Sequence, residues 1–474
     1  MKPRILSFVF IPMFVLLLAG CNQQQDTRQA ESAAAMQLHA DEAKQIAKEA
    51  YIFGYPFVAN YRVYLDRLLT KHPLMMGADF NEFAHMKALM PADMPDTAQQ
   101  DTVYSVGVID LRREPIVISV PDVPDDQVYM LQMGDTTTET LPYISTVTTN
   151  NKAGNYALVG PDYQGLIEAE HFDGVITTRG QFIMMLGRTI VFDPDDLSPI
   201  FAIQDGLVMQ PLSEYLGKEP PAKPAAIDFI AWDEKAASGL GVFSYINMTL
   251  GWHPAATFEN DLMARFAKIG VVPGQPFSTD GLSPEVVTAM EAGIAEADQE
   301  LEAIARDLTE DFNGWNWTGA EDLSRFGTDY TLRAAVALRN IYPNDPVHAA
   351  YGQTFRDSSG DQLVGTTGYT VTFDAGKLPP VNWFWSLTVY DAATGAMYPN
   401  PLERVNVSDR TKGLSYGDDG SLTVYLQHDE PSDHAHRANW LPAPEGEIYV
   451  VLRLYGPKDA AINGEWQIPL VLKQ

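Results

Sequence analysis

The sequence predicts a multidomain α+β chain in which a helical N-terminal segment and two antiparallel β-sandwiches are joined by a helical insertion. Short apolar or alternating segments bounded by Pro, Gly, Asp or Asn recur in 102–193 and 365–454, a spacing typical of sandwiches. Apolar residues recur at helical spacing in 41–70 and 233–308. A chain of 474 residues is also long enough for two or three domains.

Residues 1–20 are predicted to be a signal peptide. Lys2 and Arg4 precede an apolar run that is too short to span a membrane. The run ends in LAGC, whose Cys21 is the only cysteine of the chain. This ending resembles the lipobox of bacterial lipoproteins, which implies cleavage before Cys21 and lipid on its thiol. The alternative is an ordinary signal peptide that is cleaved near Ala19.

Residues 21–40 are polar and Ala-rich, and they predict a lipidated, flexible tether. In the lipoproteins that this N-terminus resembles, an aspartate after the cysteine favours the inner membrane, whereas this chain has Asn22. We therefore expect an exported protein that lipid on Cys21 holds at the cell envelope, at the outer membrane and facing the periplasm.

The charge of the chain is strongly acidic. Its 62 Asp and Glu residues outnumber 32 Lys and Arg residues, which gives a formal net charge of −30. Such a surface repels phosphate backbones, so we expect no nucleic-acid partner. A lipidated Cys21 would leave no thiol for catalysis, for metal binding or for a disulfide.

The N-terminal half begins with a predicted helix at 41–53, for which Asp41 is the expected N-cap. The tripeptide at 54–56 contains Gly54 and Pro56 and should end or bend this helix, with another helical stretch around 57–70. Strands are predicted at 102–110, 116–120, 127–133, 155–159 and 181–193.

The remaining segments complete a division of the chain into domains. The longest predicted helix starts at Ser283 and Pro284 and ends near Leu308. Residues 418–420 (DDG) predict a hairpin turn. The other predicted elements are helices at 233–250 and 257–268 and strands at 369–373, 383–390, 421–427 and 447–454. The predicted domains are 41–216 (helix, then sandwich), 217–232 (linker), 233–345 (mostly helical) and 346–474 (sandwich).

Several motifs resemble two protein families that commonly occur together in this order. In the N-terminal half, AYIFGYP (50–56), DTVYS (101–105) and GRT (187–189) resemble domain-of-unknown-function family 1254. In the C-terminal half, the motifs that resemble family 1214 are FWSLTVYD (384–391), NPLER (400–404), DGSL (419–422), NWLPAP (439–444), RLY (453–455) and Trp466.

The resemblance implies an architecture and no settled activity. It implies a helical N-terminal part and two jelly-roll-like sandwiches in an exported bacterial protein. Two positions depart from the family pattern. Gln100 stands where an Asn usually precedes the Asp-Thr pair, and Val405 stands where an aromatic residue usually follows the arginine matched to Arg404. If these positions contact a ligand, substrate preference differs in this chain.

Asp101 and Tyr104 are the candidate catalytic residues. They begin a predicted strand, where Asp101 could act as general base with Tyr104 as proton donor. Asp101 could equally cap a turn. Arg188 lies in an otherwise apolar strand and needs a partner if it is buried, with Asp101 and Glu139 as candidates.

An aromatic, Asn and Arg set in the C-terminal half supplies the candidate substrate-binding residues, together with Arg188. Such residues can stack on a sugar or another flat polar ligand and donate hydrogen bonds to it. They could equally form a sandwich core that structural arginines close. The set comprises Trp385, Tyr390, Asn400, Arg404, Asn439, Trp440 and Arg453.

Two further patterns are weaker. Residues 413–417 (GLSYG) match the letters of a nucleophile elbow, but a turn follows where the elbow needs a helix. His428, His434 and His436 could contribute to a zinc site, although a solvated loop explains them better. We therefore predict no metal site, and the sequence names no cofactor.

Two functions remain open from the sequence. One is an envelope enzyme that acts on a small or carbohydrate-like substrate in a pocket between or within the sandwiches. The other is a non-catalytic lipoprotein that binds a ligand or interacts with the envelope. An enzyme needs an acid–base group or a metal beside the aromatic set, whereas a binder needs only the aromatic residues and the donors.

Overall fold

The structure, a computed structural model, describes residues 38–65, 79–95, 97–308, 310–318 and 323–474. The predicted signal peptide, Cys21 and most of the predicted tether lie outside the described residues. No helix among the described residues is long and apolar enough to cross a membrane.

The fold is mixed α+β, as predicted, with an N-terminal helix and several antiparallel and mixed sheets. The strands of the described residues are β1 (Ala84–His85), β2 (Thr102–Asp110), β3 (Ile116–Val120), β4 (Tyr129–Asp135), β5 (Ile144–Ser145), β6 (Gly154–Val159), β7 (Gly174–Thr177), β8 (Phe182–Ile190), β9 (Val208–Pro211), β10 (Glu310–Phe312), β11 (Trp315–Trp317), β12 (Ala349–Thr354), β13 (Tyr369–Phe373), β14 (Val381–Asp391), β15 (Asn406–Ser408), β16 (Leu422–Gln427), β17 (Trp440–Pro442), β18 (Ile448–Pro457) and β19 (Val471–Lys473).

Helices precede, separate and decorate these sheets. The α-helices of the described residues are α1 (Ala40–Tyr64), α2 (Thr146–Thr149), α3 (Ser198–Gly206), α4 (Leu212–Tyr215), α5 (Glu234–Ala237), α6 (Val242–Leu250), α7 (Asn260–Ala267), α8 (Pro284–Arg306), α9 (Tyr330–Arg339), α10 (His434–Ala438) and α11 (Asp459–Ile462).

The N-terminal sandwich packs a five-stranded sheet, β1-β2-β8-β4-β5, against a four-stranded sheet, β7-β6-β3-β9. Strand alternation gives the larger sheet two buried faces. Ile183 of β8 points into the sandwich core with Ile118 and Leu158 of the other sheet. Phe182 and Met184 point the opposite way and pack against helices.

The C-terminal sandwich packs a six-stranded sheet, β10-β11-β12-β18-β14-β15, against a four-stranded sheet, β17-β16-β13-β19. Its core joins Trp385 and Leu452 of the first sheet to Val371 and Val424 of the second. As in the N-terminal sandwich, the outer face of the larger sheet is also covered. Each sandwich therefore offers a second face on which a site can form.

A helical layer built from α1, α6, α8 and α9 covers the outer face of the N-terminal sheet. Close approach of α1 to α8 depends on Gly293, because a Cβ at that position would overlap the carbonyl oxygen of Lys44. The helix predicted to start at Ser283 and Pro284 is α8, whose N-cap is Ser283; the Ser283 side chain accepts a hydrogen bond of 3.3 Å from the Val286 N–H group.

Helix α1 continues through Pro56, where the sequence predicted an end or a bend. An internal proline costs a helix about 3 kcal/mol. Here the helix is buried along most of its length, and the Asn60 side chain donates to the Pro56 carbonyl oxygen at 2.8 Å. Tertiary packing therefore outweighs the local preference.

Several local predictions are corrected by the structure. The N-cap of α1 is His39, so Asp41 lies inside the first turn. The 418–420 turn precedes β16, but β16 pairs with β13 and β17, so it does not close a hairpin. The predicted helix at 233–250 is interrupted between α5 and α6, and two short helices, α10 and α11, interrupt the C-terminal region that was expected to be all β.

The segment predicted to link the domains, 217–232, has little regular structure, but it lies against the body of the protein. Phe229 and Trp232 pack on the core of the helical layer. Arg113 donates two hydrogen bonds to the Pro221 carbonyl oxygen, at 2.9 and 2.7 Å. Its contacts therefore tie it to both the helical layer and the N-terminal sandwich.

The two sandwiches meet through the outer faces of their larger sheets. Met130 and Ile190 of the N-terminal sheet pack against Ala349, Phe384 and Tyr455 of the C-terminal sheet. This apolar contact lies beside a polar region of both faces. The candidate site described next occupies that polar region.

Candidate functional site

A cavity of about 410 Å³ lies between the two sandwiches, with the ends of α8 and α9 along one side. This central cavity is large enough for a small-molecule ligand. Among its described lining residues there is no Asp, Glu, His, Lys or Cys. The polar lining residues are Thr97, Gln99, Tyr104, Arg188, Asn316, Thr318, Arg339, Asn340, Tyr342, Asn344, Tyr351, Gln353, Arg453 and Tyr455.

Each sandwich contributes one arginine–tyrosine pair to the cavity. Tyr104 of β2 lies directly opposite Arg188 of β8 in the N-terminal sheet. Tyr351 of β12 lies directly opposite Arg453 of β18 in the C-terminal sheet. Directly opposite residues of antiparallel strands project from the same face, so both members of each pair line the cavity.

Arg188 is held by amide oxygens and aromatic rings. Its Nη1 atom donates to Gln132 Oε1 at 2.8 Å and to Asn344 Oδ1 at 3.1 Å, and its guanidinium carbon lies 5.5 Å from the Tyr104 ring centroid. No carboxylate of the described residues forms an ion pair with it, so the expected pairing with Asp101 or Glu139 is wrong. A guanidinium has five N–H groups, so donors remain for a further acceptor.

Arg453 is 4% exposed and lies on the opposite wall of the cavity. It donates to the Tyr390 hydroxyl at 2.8 Å and to Thr388 Oγ1 at 3.3 Å. Tyr390 in turn donates to the Ala98 carbonyl oxygen at 2.8 Å, and burial raises the pKa of its hydroxyl to about 12. Tyr390 therefore stays neutral and orients Arg453 from behind.

Tyr104 presents its hydroxyl to the cavity. This hydroxyl accepts a hydrogen bond of 3.2 Å from Gln99 Nε2 and another from Arg188, and no described residue is seen to accept its own proton. Burial alone would raise the pKa of Tyr104, but the positive charge of Arg188 and the hydrogen bond from Gln99 outweigh burial and lower that pKa. Burial raises the pKa of Tyr351 in the same cavity.

Asp101 lies outside the cavity lining and is fully buried. One carboxylate oxygen accepts from Arg410 Nη2 at 2.7 Å, and the other accepts a hydrogen bond from the Ser386 hydroxyl. Arg410 also stacks on the Phe384 ring, with 3.4 Å between the guanidinium carbon and the ring centroid. Asp101 thus joins the two sandwiches, and the contacts that occupy its oxygens match neither a base nor a turn cap.

Comparisons with known proteins identify the two halves of the site. Residues 80–211 match the family model described as Protein of unknown function (DUF1254), and residues 348–459 match Protein of unknown function (DUF1214). The chain joins a DUF1254 domain to a DUF1214 domain. Tyr104 and Arg188 belong to the first, and Tyr351 and Arg453 belong to the second. The central cavity is therefore formed where the two domains meet.

Solved structures include one with a similar overall fold. The crystal structure of the VPA0106 protein from Vibrio parahaemolyticus matches 91% of this chain and 100% of that chain, with 25% sequence identity and a TM-score of 0.72. An uncharacterised protein from Burkholderia cenocepacia matches 90% of this chain and 88% of that chain, with 10% identity and a TM-score of 0.44. No curated protein matches the chain.

The other aromatic and polar residues of the predicted set lie away from the cavity. Trp385 is 1% exposed in the core of the DUF1214 sandwich and packs against Phe373. The Trp440 ring nitrogen donates to the Gln427 carbonyl oxygen at 2.9 Å. Neither indole therefore faces the central cavity.

The predicted Asn and Arg donors of the DUF1214 domain bind backbone carbonyl groups. Asn400 donates to the Tyr398 and Arg404 carbonyl oxygens, each at 2.9 Å. Arg404 donates to the carbonyl oxygens of Ala438 at 3.0 Å and Trp440 at 2.9 Å. Asn439 donates to the carbonyl oxygens of Ser415 and Thr423. These side chains hold loops against the sandwich, although Arg404 also borders a second cleft of about 280 Å³.

Sequence reasoning missed several residues of the site. Gln99, Gln132, Asn344 and Tyr351 are ordinary polar residues, and no motif distinguishes them in the sequence. Arg410, the partner of Asp101, lies in a turn after β15. Strand alternation offered one signal, because Gln132 and Arg188 are polar positions on strands whose other positions are almost all apolar.

The motifs for metal binding and for a serine nucleophile do not assemble a site. His428 lies 2.9 Å from the Ala443 carbonyl oxygen, while His436 stacks on Tyr425 with 4.0 Å between ring centroids. Within the described ranges, no group of three or more His, Cys, Asp or Glu side chains could hold a metal ion. Ser415 lies in a loop and is followed by a turn, so it does not form a nucleophile elbow.

Proposed function

We propose that the chain binds a small organic anion in the central cavity. The observation that carries this proposal is the pair of arginines, Arg188 and Arg453, that line one cavity without a carboxylate partner among the described residues. Taking a guanidinium out of water costs several kcal/mol unless another charge and its hydrogen bonds compensate. A bound carboxylate or phosphate would supply both, in the bidentate geometry that arginine favours.

The charge of the whole chain strengthens the argument. The formal net charge is −30, yet the described cavity lining contains arginines and no carboxylate. The arginine-lined cavity therefore differs in charge from the rest of the protein, whose acidic surface does not attract anions. The arginines therefore suit a local role in recognising one charged group of a ligand.

The rest of the lining suits a polar organic ligand. Tyr351 and Tyr455 offer flat faces, and Gln99, Asn316 and Asn344 offer amide groups. A volume of about 410 Å³ fits a small molecule or the end of a short saccharide. Sugar acids combine a carboxylate with hydroxyl groups and match this combination of arginines, aromatic rings and amides.

Thermal unfolding with defined probes tests the anion proposal. We expect citrate or galacturonate to raise the unfolding temperature of the purified protein, whereas neutral glucose should leave it unchanged. At about a hundredfold excess over Kd, binding contributes about 2.7 kcal/mol. Equal shifts with glucose and galacturonate, or no shift with either anion, would contradict the proposal.

Arginine variants locate the binding to the cavity. Arg188→Met and Arg453→Met should each remove the anion-induced shift. The matched control is Arg437→Met, because Arg437 is 43% exposed on α10 and lies outside the cavity. Retention of the full shift in both cavity variants would place the anion elsewhere.

We also infer that the mature protein is an outer-membrane lipoprotein facing the periplasm. The support is the N-terminal sequence, in which a basic start and an apolar run lead to LAGC. Cys21→Ser should move the protein from the membrane fraction to the soluble fraction. Persistence of this variant in membranes after salt washing would contradict anchoring through lipid.

A further inference from the structure

We propose that the protein is a lyase in which Tyr104 performs a syn β-elimination on a uronate whose carboxylate is bound by Arg188. The inference rests on the proposed anion site and names its substrate class and reaction. It is carried by the position of the Tyr104 hydroxyl, which shares a cavity wall with Arg188 and points to no acceptor among the described residues.

The geometry orients Tyr104 for proton transfer. Gln99 Oε1 accepts from the backbone N–H groups of Asp101 and Thr102, which fixes the amide. Gln99 Nε2 then donates to Thr102 Oγ1 at 2.7 Å and to the Tyr104 hydroxyl at 3.2 Å. The Tyr104 hydroxyl therefore accepts hydrogen bonds from Gln99 and Arg188, and the hydrogen bonds of the described residues give it no acceptor for its own proton.

Tyr104 differs from Tyr351 and Tyr455, two other tyrosines of the described lining. The part of the lining that the structure describes contains no Asp, Glu, His, Lys or Cys side chain. Burial raises the pKa of Tyr351 and of Tyr455, whereas Arg188 and Gln99 lower the pKa of Tyr104. A phenol beside a guanidinium is therefore the best available proton acceptor.

A tyrosine that serves as both base and acid restricts the reaction class. Racemisation needs an acid and a base on opposite faces of one carbon, whereas syn elimination removes and delivers a proton on the same face. One tyrosine can do both, because the hydroxyl formed in the first half supplies the proton in the second. The carboxylate that Arg188 would bind also acidifies the C–H bond of the adjacent carbon, so this is the bond that breaks.

The step balances without a co-reactant. The Tyr104 phenolate oxygen takes the proton from the carbon next to the carboxylate, and the electron pair of that C–H bond forms a carbon–carbon double bond. The bond from the next carbon to its alkoxy oxygen breaks with its electron pair. Tyr104 then gives the proton to this oxygen, so an unsaturated uronate and an alcohol form and the phenolate returns. Arg188 stabilises the charge that builds on the carboxylate in between.

Oligosaccharides test the proposal directly. The purified protein is incubated with oligomannuronate, in which the C5–H and C4–O bonds lie on the same face of the sugar, and ultraviolet absorbance is used to detect the new double bond conjugated to the carboxylate. We expect product with oligomannuronate and none with oligogalacturonate, in which these two bonds lie on opposite faces. Tyr104→Phe should reduce turnover by about a hundredfold or more while the anion-induced thermal shift persists. The control Tyr416→Phe, at a tyrosine that is 48% exposed and lies outside the cavity, should leave turnover unchanged.

The pH profile separates proton transfer from simple positioning. Turnover should rise with pH as the phenolate fraction of Tyr104 rises, and Tyr104→Phe should lose that rise. Near wild-type turnover in Tyr104→Phe would overturn the proposal. Binding of the probes without any unsaturated product would also overturn it, while leaving anion binding intact. Absence of both binding and product would contradict the anion site itself.

Discussion

Arg404 and Arg188 are both partly buried arginines of sandwich domains, and they differ in the acceptors to which their N–H groups donate. Arg404 binds the carbonyl oxygens of Ala438 and Trp440 and fixes a loop of the DUF1214 domain. Arg188 binds two amide side chains beside a cavity and keeps N–H groups for another acceptor. The sequence made both of them candidate substrate-binding residues. The difference teaches that the acceptors of an arginine, more than its motif, distinguish support of a loop from recognition of a ligand.

Trp385→Ala should give the largest loss of unfolding free energy among the variants in this comparison. Trp385 is 1% exposed in the DUF1214 core, and its truncation should cost about 3–5 kcal/mol of unfolding free energy. If the variant remains folded, the anion-induced shift should persist, because the indole does not line the cavity. Urea unfolding with and without citrate measures both quantities. A small loss of stability together with loss of the shift would place Trp385 at the site and break the comparison.

Buried and exposed histidines of the protein allow a second comparison. His253 and His348 are buried near the N-terminal sandwich, and burial lowers the pKa of each to about 4 from 6.5. Both stay neutral in the folded protein as the pH falls from 6.5 to about 4, while the unfolded chain takes up protons. Their stabilisation is therefore complete above about pH 6.5 and is lost progressively toward pH 4.

In His348→Gln, the loss of unfolding free energy between pH 6.5 and about 4 should be smaller by about 3 kcal/mol. One pKa unit corresponds to about 1.4 kcal/mol, and the pKa of His348 falls from 6.5 to about 4 on folding. The measurement is urea unfolding at several pH values between about 7 and 4. The control is His434→Gln, because His434 is exposed on α10. An unchanged pH dependence in His348→Gln would show that His348 is not a buried neutral group.

Asn439→Ala tests whether the polar set of the DUF1214 domain is structural. Asn439 is 3% exposed, donates to two carbonyl oxygens and accepts from the Ser415 N–H group. Its removal should cost about 2 kcal/mol, because buried backbone groups lose their partners. Urea unfolding gives the cost, and the anion-induced shift should be retained. A stable variant without the shift would return Asn439 to the list of ligand contacts.

Sequence alone predicted the fold class, the domain families and much of the strand layout, because alternation and turn residues are local signals. β2 and β3 were predicted with their observed bounds, whereas β4 lies two residues later than predicted at both ends. Tyr104, Arg188 and Arg453 were selected as candidates and line one cavity. Their convergence was not predictable, since it depends on how the outer faces of two sheets meet.

The predicted site residues that lie outside the cavity were misplaced for a physical reason. Trp385 and Ser386 are neighbours in one strand, so they must face opposite sides, and the sequence does not tell which side is the core. Helix α1 illustrates a similar limit, because burial along most of its length carries it past Pro56. In both cases tertiary contacts decide between alternatives that local sequence leaves equal.

Arg188→Met should give the smallest change in stability and the sharpest contrast with Arg404. The variant removes a guanidinium that has amide partners but no carboxylate among the described residues, so it relieves a desolvation cost while losing two hydrogen bonds. We expect the unfolding free energy to stay within about 1 kcal/mol of the original protein. Arg404→Met should instead lose about 1–3 kcal/mol, because it leaves carbonyl oxygens unpaired. Urea unfolding of both variants without ligand makes the comparison. A larger loss in Arg188→Met than in Arg404→Met would mean that Arg188 is there to hold the two domains together, and it would remove the main reason for an anion in the cavity.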